Sequence, residues 1–219
     1  MLPLLALLAS CGGSSDDPDG TGVSGLKENN PDGLNGAALT QPYTVPQVKL
    51  TDTAGEQVEV GQLLAGADKP LTLVFFGYTK CPDICQVVMA NIAAAINRLD
   101  DAEREQVGML LVTSDPQRDD PETLRTYLDH FDPSFEGLTG PLDVIEEVAH
   151  ALGVAIEKGD KLPSGGYAVN HGTQIIGVQP DGTGVVVWTE GTSSQYLAQD
   201  LTTILRDGLP QQPDSGGGK

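Results

Sequence analysis

With 219 residues, the chain is long enough to form one domain with a sizeable hydrophobic core. It carries 12 lysine and arginine residues against 31 aspartate and glutamate residues, which gives a formal net charge of −19. Nucleic acids and anionic lipid surfaces are bound through basic side chains, so this charge argues against both as partners.

The chain begins with an apolar run that is shorter than the roughly 20 residues of a membrane-spanning helix. The run is typical of the end of a signal-peptide apolar region, and the Leu8-Ala9-Ser10-Cys11 that closes it resembles a bacterial lipobox. This resemblance implies cleavage before Cys11 and attachment of lipid to its sulfur. We therefore interpret residues 1–11 as a lipoprotein signal remnant and lipobox. We expect an exported protein that is lipid-anchored to the outer face of the bacterial cytoplasmic membrane.

Residues 12–41 are rich in Gly, Asp, Asn and Ser and contain few large apolar side chains. Such a composition cannot bury enough surface to offset the entropy of ordering, so it predicts a flexible tether. The same reasoning predicts a disordered tail over residues 208–219. The folded domain is therefore expected to span residues 42–207.

The first half of this domain contains three predicted strand regions and one helix. Apolar and polar positions alternate around a Thr-Ala-Gly turn within residues 45–60, which indicates a strand pair. Unbroken apolar runs at 71–78 and 107–115 are typical of central strands that are covered on both faces. Between these runs, apolar residues recur at helical spacing over residues 82–99.

The second half begins with two further predicted helices. Asp120 and Pro121 are suited to the N-cap and first position of one helix, and the other covers about residues 141–152. An irregular segment follows, and then the sequences TQIIGVQ and GVVVWTE flank a Pro-Asp-Gly-Thr turn, which predicts a hairpin. A last helix is predicted over residues 193–205. This order of elements predicts an α/β thioredoxin-like fold, with a mixed sheet flanked by helices and an added N-terminal strand pair.

Cys81 and Cys85 lie where the first predicted central strand leads into the first long helix. In open α/β sheets, sites form in the crevice beyond the carboxyl ends of the strands. A helix start also lowers the pKa of a thiol, because unpaired N–H groups and the helix dipole favour the thiolate. Both redox attack and metal binding use a thiolate, so the position alone leaves these two functions open.

The spacing of the two cysteines favours a metal over a disulfide. Residues four apart on a helix have Cβ atoms about 5–6 Å apart, whereas a disulfide needs roughly 3.5–4.5 Å. A metal bonded to each sulfur at about 2.3 Å, the zinc–thiolate value, accepts the wider separation. A disulfide stays open as an alternative, because the first turn of a helix can deform.

A two-thiolate metal site needs a third ligand, and the sequence contains three histidines. His130 and His150 lie in predicted helices, and we interpret them as packed or solvated helix residues. His171 is predicted on a loop just before a strand, and in a thioredoxin-like sheet that loop faces the start of the first long helix. Two thiolates and one imidazole suit Cu(I), and an added oxygen ligand would suit Cu(II) or zinc. Copper is favoured, because zinc in structural sites usually takes four ligands.

Four sequence segments together resemble the Sco/SenC family of copper-binding assembly factors, over about residues 45–205. The segments are FFGYTKCPDIC, VTSDPQRDDPETLRTYL, GLTG and VNHGTQIIGVQPDG. The resemblance implies a thioredoxin fold with Cys81, Cys85 and His171 as copper ligands. Asp115 matches an acidic position near the metal site of the family. Asn170 stands where the family commonly has Asp, so the uncharged amide could change copper affinity.

The resemblance implies a copper metallochaperone without catalytic turnover. Its expected acceptor is the dinuclear copper centre of cytochrome c oxidase subunit II, and an upstream periplasmic copper donor is a further expected partner. Cu(I) is the favoured cargo and Cu(II) the second choice, and the membrane is contacted through the lipid anchor only. The alternative is an enzyme, a thiol–disulfide reductase of the cysteines of that copper centre. A copper or redox sensor is a further alternative that no specific feature supports. A peroxiredoxin-like peroxidase shares the fold, but no threonine and arginine pair is placed to activate a peroxidatic cysteine.

Overall fold

The computed structural model describes residues 33–66, 69–82, 84–161 and 167–209. Ten strands lie in these ranges, in chain order β1 (Ala37–Thr44), β2 (Lys49–Asp52), β3 (Gln57–Glu59), β4 (Leu71–Gly77), β5 (Val107–Thr113), β6 (Glu136–Thr139), β7 (Ile156–Lys161), β8 (Tyr167–His171), β9 (Ile175–Val178) and β10 (Thr183–Trp188). The helices there are α1 (Val60–Gly66), α2 (Cys85–Ile96), α3 (Asp101–Arg104), α4 (Pro121–Leu128), α5 (Leu142–Ala151) and α6 (Ser194–Asp207). The predicted signal remnant with Cys11, the tether up to residue 32 and the tail from residue 210 lie outside the described residues.

Eight of the strands form one mixed sheet in the order β1-β10-β9-β4-β5-β6-β2-β3, and β7 pairs with β8 separately. β4, β5 and β6 run parallel, whereas β9 runs antiparallel to β4 and β10 antiparallel to β9. Every residue of β4 and β5 is buried, as the two unbroken apolar runs predicted. The predicted mixed α/β, thioredoxin-like architecture is confirmed, including the strand pair β2–β3 that precedes β4.

The sheet separates two hydrophobic clusters, because successive side chains of a strand point to opposite faces. Leu73 and Phe75 of β4 lie in the cluster that packs against α2, α4 and α6. Val74 and Phe76 lie in the cluster that packs against α1 and α5. Helices therefore cover both faces of β4, and the chain that leaves its carboxyl end emerges between two packed layers.

The predicted helix cap after the second central strand is present, and the last helix is also capped. The carboxylate of Asp120 accepts a hydrogen bond from the backbone N–H of Thr123, with Pro121 at the start of α4. The hydroxyl of Ser193 accepts one from the N–H of Tyr196 at the start of α6. The first long helix begins later than predicted, at Cys85 instead of Pro82, and its N-cap Ile84 makes no side-chain capping hydrogen bond.

Two predicted irregular regions are ordered in the structure. Residues 37–41 of the predicted tether belong to β1. They are ordered there because β1 pairs with β10 at the edge of the sheet. The segment before the hairpin, predicted to be irregular, contains the antiparallel pair β7–β8. None of the helices in the described ranges has the length and apolar character that a membrane span requires.

Candidate metal centre

The turn between β4 and α2 brings the two cysteines together. β4 ends at Gly77, and the N–H of Cys81 donates to the carbonyl of Tyr78 at 3.2 Å, which folds the chain back before Cys85 begins α2. Neither cysteine is in a disulfide, and 9% of Cys81 and 1% of Cys85 is exposed. Two buried sulfur atoms therefore lie beyond the carboxyl end of β4.

The thiols of Cys81 and Cys85 hydrogen-bond to each other. This bond first, and burial second, raise the pKa of the Cys85 thiol well above its ordinary value. The prediction that the helix start lowers the thiol pKa is therefore wrong for Cys85, because the neighbouring thiol and the apolar surroundings outweigh the favourable backbone groups. At neutral pH Cys85 is a thiol, and a metal that binds its sulfur has to displace the proton.

The buried carboxylate of Asp119 is hydrogen-bonded to Thr79 in the turn between β4 and α2, which we call the cysteine turn. It accepts hydrogen bonds from the N–H of Thr79 at 2.9 Å and from its hydroxyl at 2.6 Å. The hydroxyl of Thr113, the last residue of β5, donates to the same carboxylate at 2.7 Å. Burial raises the pKa of Asp119, although these hydrogen bonds act in the opposite direction. Sequence reasoning missed this residue, because an acidic side chain beside the helix cap Asp120 is indistinguishable from a solvated one.

Asp115 acts on the same turn indirectly. It is buried, accepts from Arg118 in an ion pair, and its own N–H donates to the hydroxyl of Thr113 at 3.0 Å. The guanidinium of Arg118 lies 5.5 Å from the ring centroid of Tyr78, the residue whose carbonyl holds Cys81. Asp115 is thus part of a chain of contacts that supports the cysteine turn.

The structure places His171 in a strand, which corrects its predicted position on a loop. His171 is the last residue of β8, opposite Ile156 of β7, and the N–H of the next residue, Gly172, donates to the carbonyl of Ala155. β9 starts soon afterwards, with Ile175 opposite Phe75 of β4. The backbone of residues 171–174 therefore lies at the end of the sheet where β4 leads into the cysteine turn.

The side chains of residues 167–171, including Asn170 and His171, lie outside the described part of the molecule. Among the side chains that are described, no three His, Cys, Asp or Glu residues group together in a way that could hold a metal ion. His130 is exposed, and its Nδ1 lies 2.6 Å from the carbonyl oxygen of Thr126 in α4. The prediction that it lies in a helix is wrong, because it lies in the turn that follows α4, which ends at Leu128. The described donor atoms of the candidate site are therefore the sulfurs of Cys81 and Cys85.

The donor chemistry of the pair fits a soft metal ion. Thiolate sulfur is a preferred ligand of Cu(I), and the low effective dielectric around buried sulfur strengthens its attraction for a cation. A single added imidazole from β8 would complete a three-coordinate set. The same two sulfurs could also exchange electrons with a disulfide, so the described geometry supports either chemistry.

Comparison with known proteins gives one family. The sequence model of the SCO1/SenC family matches residues 36–206 of the chain. A protein of Stutzerimonas stutzeri that is named for copper binding is 33% identical over 152 residues, which are 69% of this chain and 72% of the relative. Protein sco1 of Schizosaccharomyces pombe is 30% identical over 132 residues, which are 59% of this chain and 50% of the relative.

Solved structures give the same match in three dimensions. The apo Sco1 protein of Thermus thermophilus superposes with a TM-score of 0.67 at 29% identity, covering 78% of this chain and 96% of the other. ScoI of Bradyrhizobium japonicum with copper bound superposes with a TM-score of 0.60 at 30% identity, covering 75% of this chain and 98% of the other.

Proposed function

Since the chain belongs to the SCO1/SenC family, we propose that it is a copper metallochaperone, which delivers copper to the dinuclear copper centre of cytochrome c oxidase subunit II. The observation that carries the proposal is the pair of free, buried thiols on the turn before α2. Copper as the cargo is supported by the ScoI structure, which contains copper, and by the name of the Stutzerimonas relative.

In this proposal Cys81, Cys85 and His171 are the copper ligands. Cys81 lies on the turn whose backbone is tied to Tyr78, and Cys85 is the first residue of α2. His171 is the last residue of β8, shortly before β9 begins beside the carboxyl end of β4. Asp115 supports the ligands through Arg118 and Tyr78 instead of contacting the metal. Asn170, beside the histidine, would tune its imidazole without adding charge.

The raised pKa of Cys85 helps the protein to give copper up. Binding Cu(I) costs the proton of Cys85 and the hydrogen bond between the two thiols. When an acceptor thiolate or imidazole replaces one sulfur, that proton and that hydrogen bond can return. The empty site is thereby stabilised relative to the loaded one, which favours stepwise transfer over permanent storage.

The experiment that tests the proposal is Cu(I) binding to the reduced domain in competition with a chromophoric chelator. We expect one Cu(I) per chain, and loss of binding by about 100-fold or more in Cys81→Ser and Cys85→Ser, since each removes a thiolate ligand. His171→Ala is expected to weaken binding, whereas His130→Ala, at an exposed position just after α4, serves as the matched control. X-ray absorption that finds no sulfur around bound copper would contradict the assignment of Cys81 and Cys85 as copper ligands.

A second function has support from the same two sulfurs. In a thiol–disulfide reductase, the thiolate of one cysteine attacks a sulfur of the acceptor disulfide, and a mixed disulfide forms as the acceptor bond breaks. The other cysteine then attacks its neighbour, so the acceptor leaves as a dithiol and the pair is left oxidised. Reductase activity requires both cysteines but not His171. Oxidase maturation that survives His171→Ala and fails in both Cys→Ser variants would favour this function over copper delivery.

We further propose that the protein is exported and lipid-anchored through Cys11 to the outer face of the cytoplasmic membrane, which brings it near a membrane-bound acceptor. The support is the apolar run that ends in Leu8-Ala9-Ser10-Cys11. Labelling cells with a radioactive fatty acid tests it directly. We expect label on the wild type and none on Cys11→Ser, which should leave the membrane fraction.

A further inference from the structure

Residues 172–174 connect the two-stranded sheet with the eight-stranded sheet. β8 pairs with β7 and ends at His171, whereas β9 begins at Ile175 within the larger sheet. Ile175 lies opposite Phe75, near the carboxyl end of β4, and β4 leads into the cysteine turn. The course of this short segment therefore sets where the end of β8 lies relative to the two cysteines.

The connection between α5 and β7 gives this segment a fixed support. Leu152 and Val154 are buried in the hydrophobic cluster that packs against α1 and α5. Gly153 between them has a φ of 72°, a region that favours glycine, and a Cβ there would overlap the hydroxyl of Tyr43 in β1. Because its neighbours on both sides are buried, the carbonyl of Gly153 is held in one position.

The side chain of Gln174 links the segment to that support. Its Nε2 donates to the carbonyl oxygen of Gly153 at 2.9 Å. Its amide also lies close to Gly172, where a Cβ would overlap the Oε1 of Gln174. The N–H of Gly172 donates to the carbonyl of Ala155 at 3.1 Å, which extends the β7–β8 pairing past His171. The residue after His171 is therefore held against the α5–β7 connection through its backbone and through the Gln174 amide.

A ligand that is held in place before the metal arrives binds more tightly, because it does not have to be ordered on binding. The cysteine turn has such support from the carboxylate of Asp119. We propose that Gln174 is a positioning residue that gives the same support to His171, by holding the end of β8 near the carboxyl end of β4. The inference deepens the proposed copper function and rests on it, with His171 as a ligand and no contact between Gln174 and the metal.

The first test measures the Cu(I) affinity of the reduced protein by chelator competition. Gln174→Met keeps the length of the side chain but removes its N–H donor, and Gln195→Met makes the same change at an exposed position of α6. We expect about fivefold weaker binding for Gln174→Met, the effect of one neutral hydrogen bond, and no change for Gln195→Met. In a His171→Ala background, Gln174→Met should cause no further loss, because the ligand that Gln174 positions is absent.

The second test needs no copper and measures amide hydrogen exchange in the metal-free protein. Gln174→Met should speed the exchange of the Gly172 N–H about fivefold, since the segment opens more often without the Gln174 hydrogen bond. The N–H of Val154, which donates to the carbonyl of Ala149 at the end of α5, should exchange at the wild-type rate and serves as the internal control. Gln195→Met should leave both rates unchanged.

The two tests separate this inference from the proposed function. An affinity of Gln174→Met equal to that of the wild type, an equal loss in the His171→Ala background and an unchanged Gly172 exchange rate each overturn the inference without affecting the proposed function. A wild type that binds no Cu(I) contradicts the proposed function itself, and the positioning of a copper ligand fails with it.

Discussion

Two buried aspartates each hold a neighbouring segment by hydrogen bonds, one at the cysteine turn and one at the entry of the chain into the domain. Asp119 holds the turn through Thr79 and Thr113, with two hydroxyl donors and one backbone N–H. Asp200 of α6 holds residues 35 and 36, and all its donors are N–H groups. Both carboxylates are almost completely buried, with 0% and 2% of the residue exposed.

The donors around Asp200 are all N–H groups. The N–H and Nδ2 of Asn35 donate at 2.9 and 2.8 Å, the N–H of Gly36 at 2.8 Å and the Nε1 of Trp188 at 2.7 Å. An N–H group can only donate, so each oxygen of Asp200 has to accept. This cluster joins the two residues before β1 to β10 and α6.

The hydroxyls around Asp119 can both donate and accept, so this carboxylate can take up a proton and keep its partners. The two aspartates are buried to a similar extent, but the types of hydrogen-bond donor around them differ, and their roles differ accordingly. Asp200 is a structural clamp held by N–H groups, which can only donate, and Asp119 supports the candidate site partly through hydroxyl groups, which can donate or accept.

The largest predicted effect is at the structural clamp. Asp200→Asn places an amide N–H₂ against groups that can only donate, and we expect a loss of about 3 kcal/mol in the free energy of unfolding. Urea denaturation measures it, with Asp207→Asn at the exposed end of the same helix as the control. Folded Asp200→Asn should still bind one Cu(I) per chain. A stability close to that of the wild type would show that the hydrogen bonds to Asp200 do not stabilise the fold.

A smaller loss of stability, with an effect on the site, is expected for Asp119→Ala. The change leaves the N–H and hydroxyl of Thr79 and the hydroxyl of Thr113 without their acceptor, which should cost about 2 kcal/mol in unfolding free energy. Because the cysteine turn is released, Cu(I) affinity should also fall, by about tenfold. Asp120→Ala removes only the helix cap and should cost about 1 kcal/mol without affecting Cu(I). Equal Cu(I) affinities in the two variants would contradict the anchoring role of Asp119.

Asp119 and Asp200 should respond differently to substitution by asparagine. In Asp119→Asn the amide can replace Oδ1 and donate to the hydroxyl of Thr79, while the remaining oxygen keeps its two donors. We expect a loss below about 1 kcal/mol, measured by urea denaturation alongside Asp200→Asn. Similar losses of unfolding free energy at both positions would show that the type of donor, hydroxyl or N–H, does not decide the effect of the substitution.

The smallest effect is a pH dependence of stability that Asp119 contributes. Since its folded-state pKa is raised, its contribution is fully present below the ordinary Asp pKa of about 3.9 and is lost as the pH rises through the raised value. The free energy of unfolding of the wild type minus that of Asp119→Asn should therefore decrease as the pH rises from about 4 to 7. A difference that stays constant or grows over this range would contradict the raised pKa.

The sequence by itself determined those parts of the molecule that depend on neighbouring residues. The buried runs of β4 and β5, the cap Asp120 and the strand-to-helix position of the cysteines follow from local periodicity and turn chemistry. The family resemblance also rests on contiguous motifs, and it is confirmed by the match over residues 36–206.

Only the tertiary structure decided which distant residues complete these local elements. Asp119 and Thr79 are 40 residues apart and Asp200 and Asn35 are 165 apart, so no periodic pattern could indicate either contact. The same holds for the raised pKa of Cys85, which depends on burial and on the direction of the Cys81 thiol. Helix-start electrostatics can be read from the sequence, whereas desolvation depends on what the rest of the chain packs around the two sulfurs.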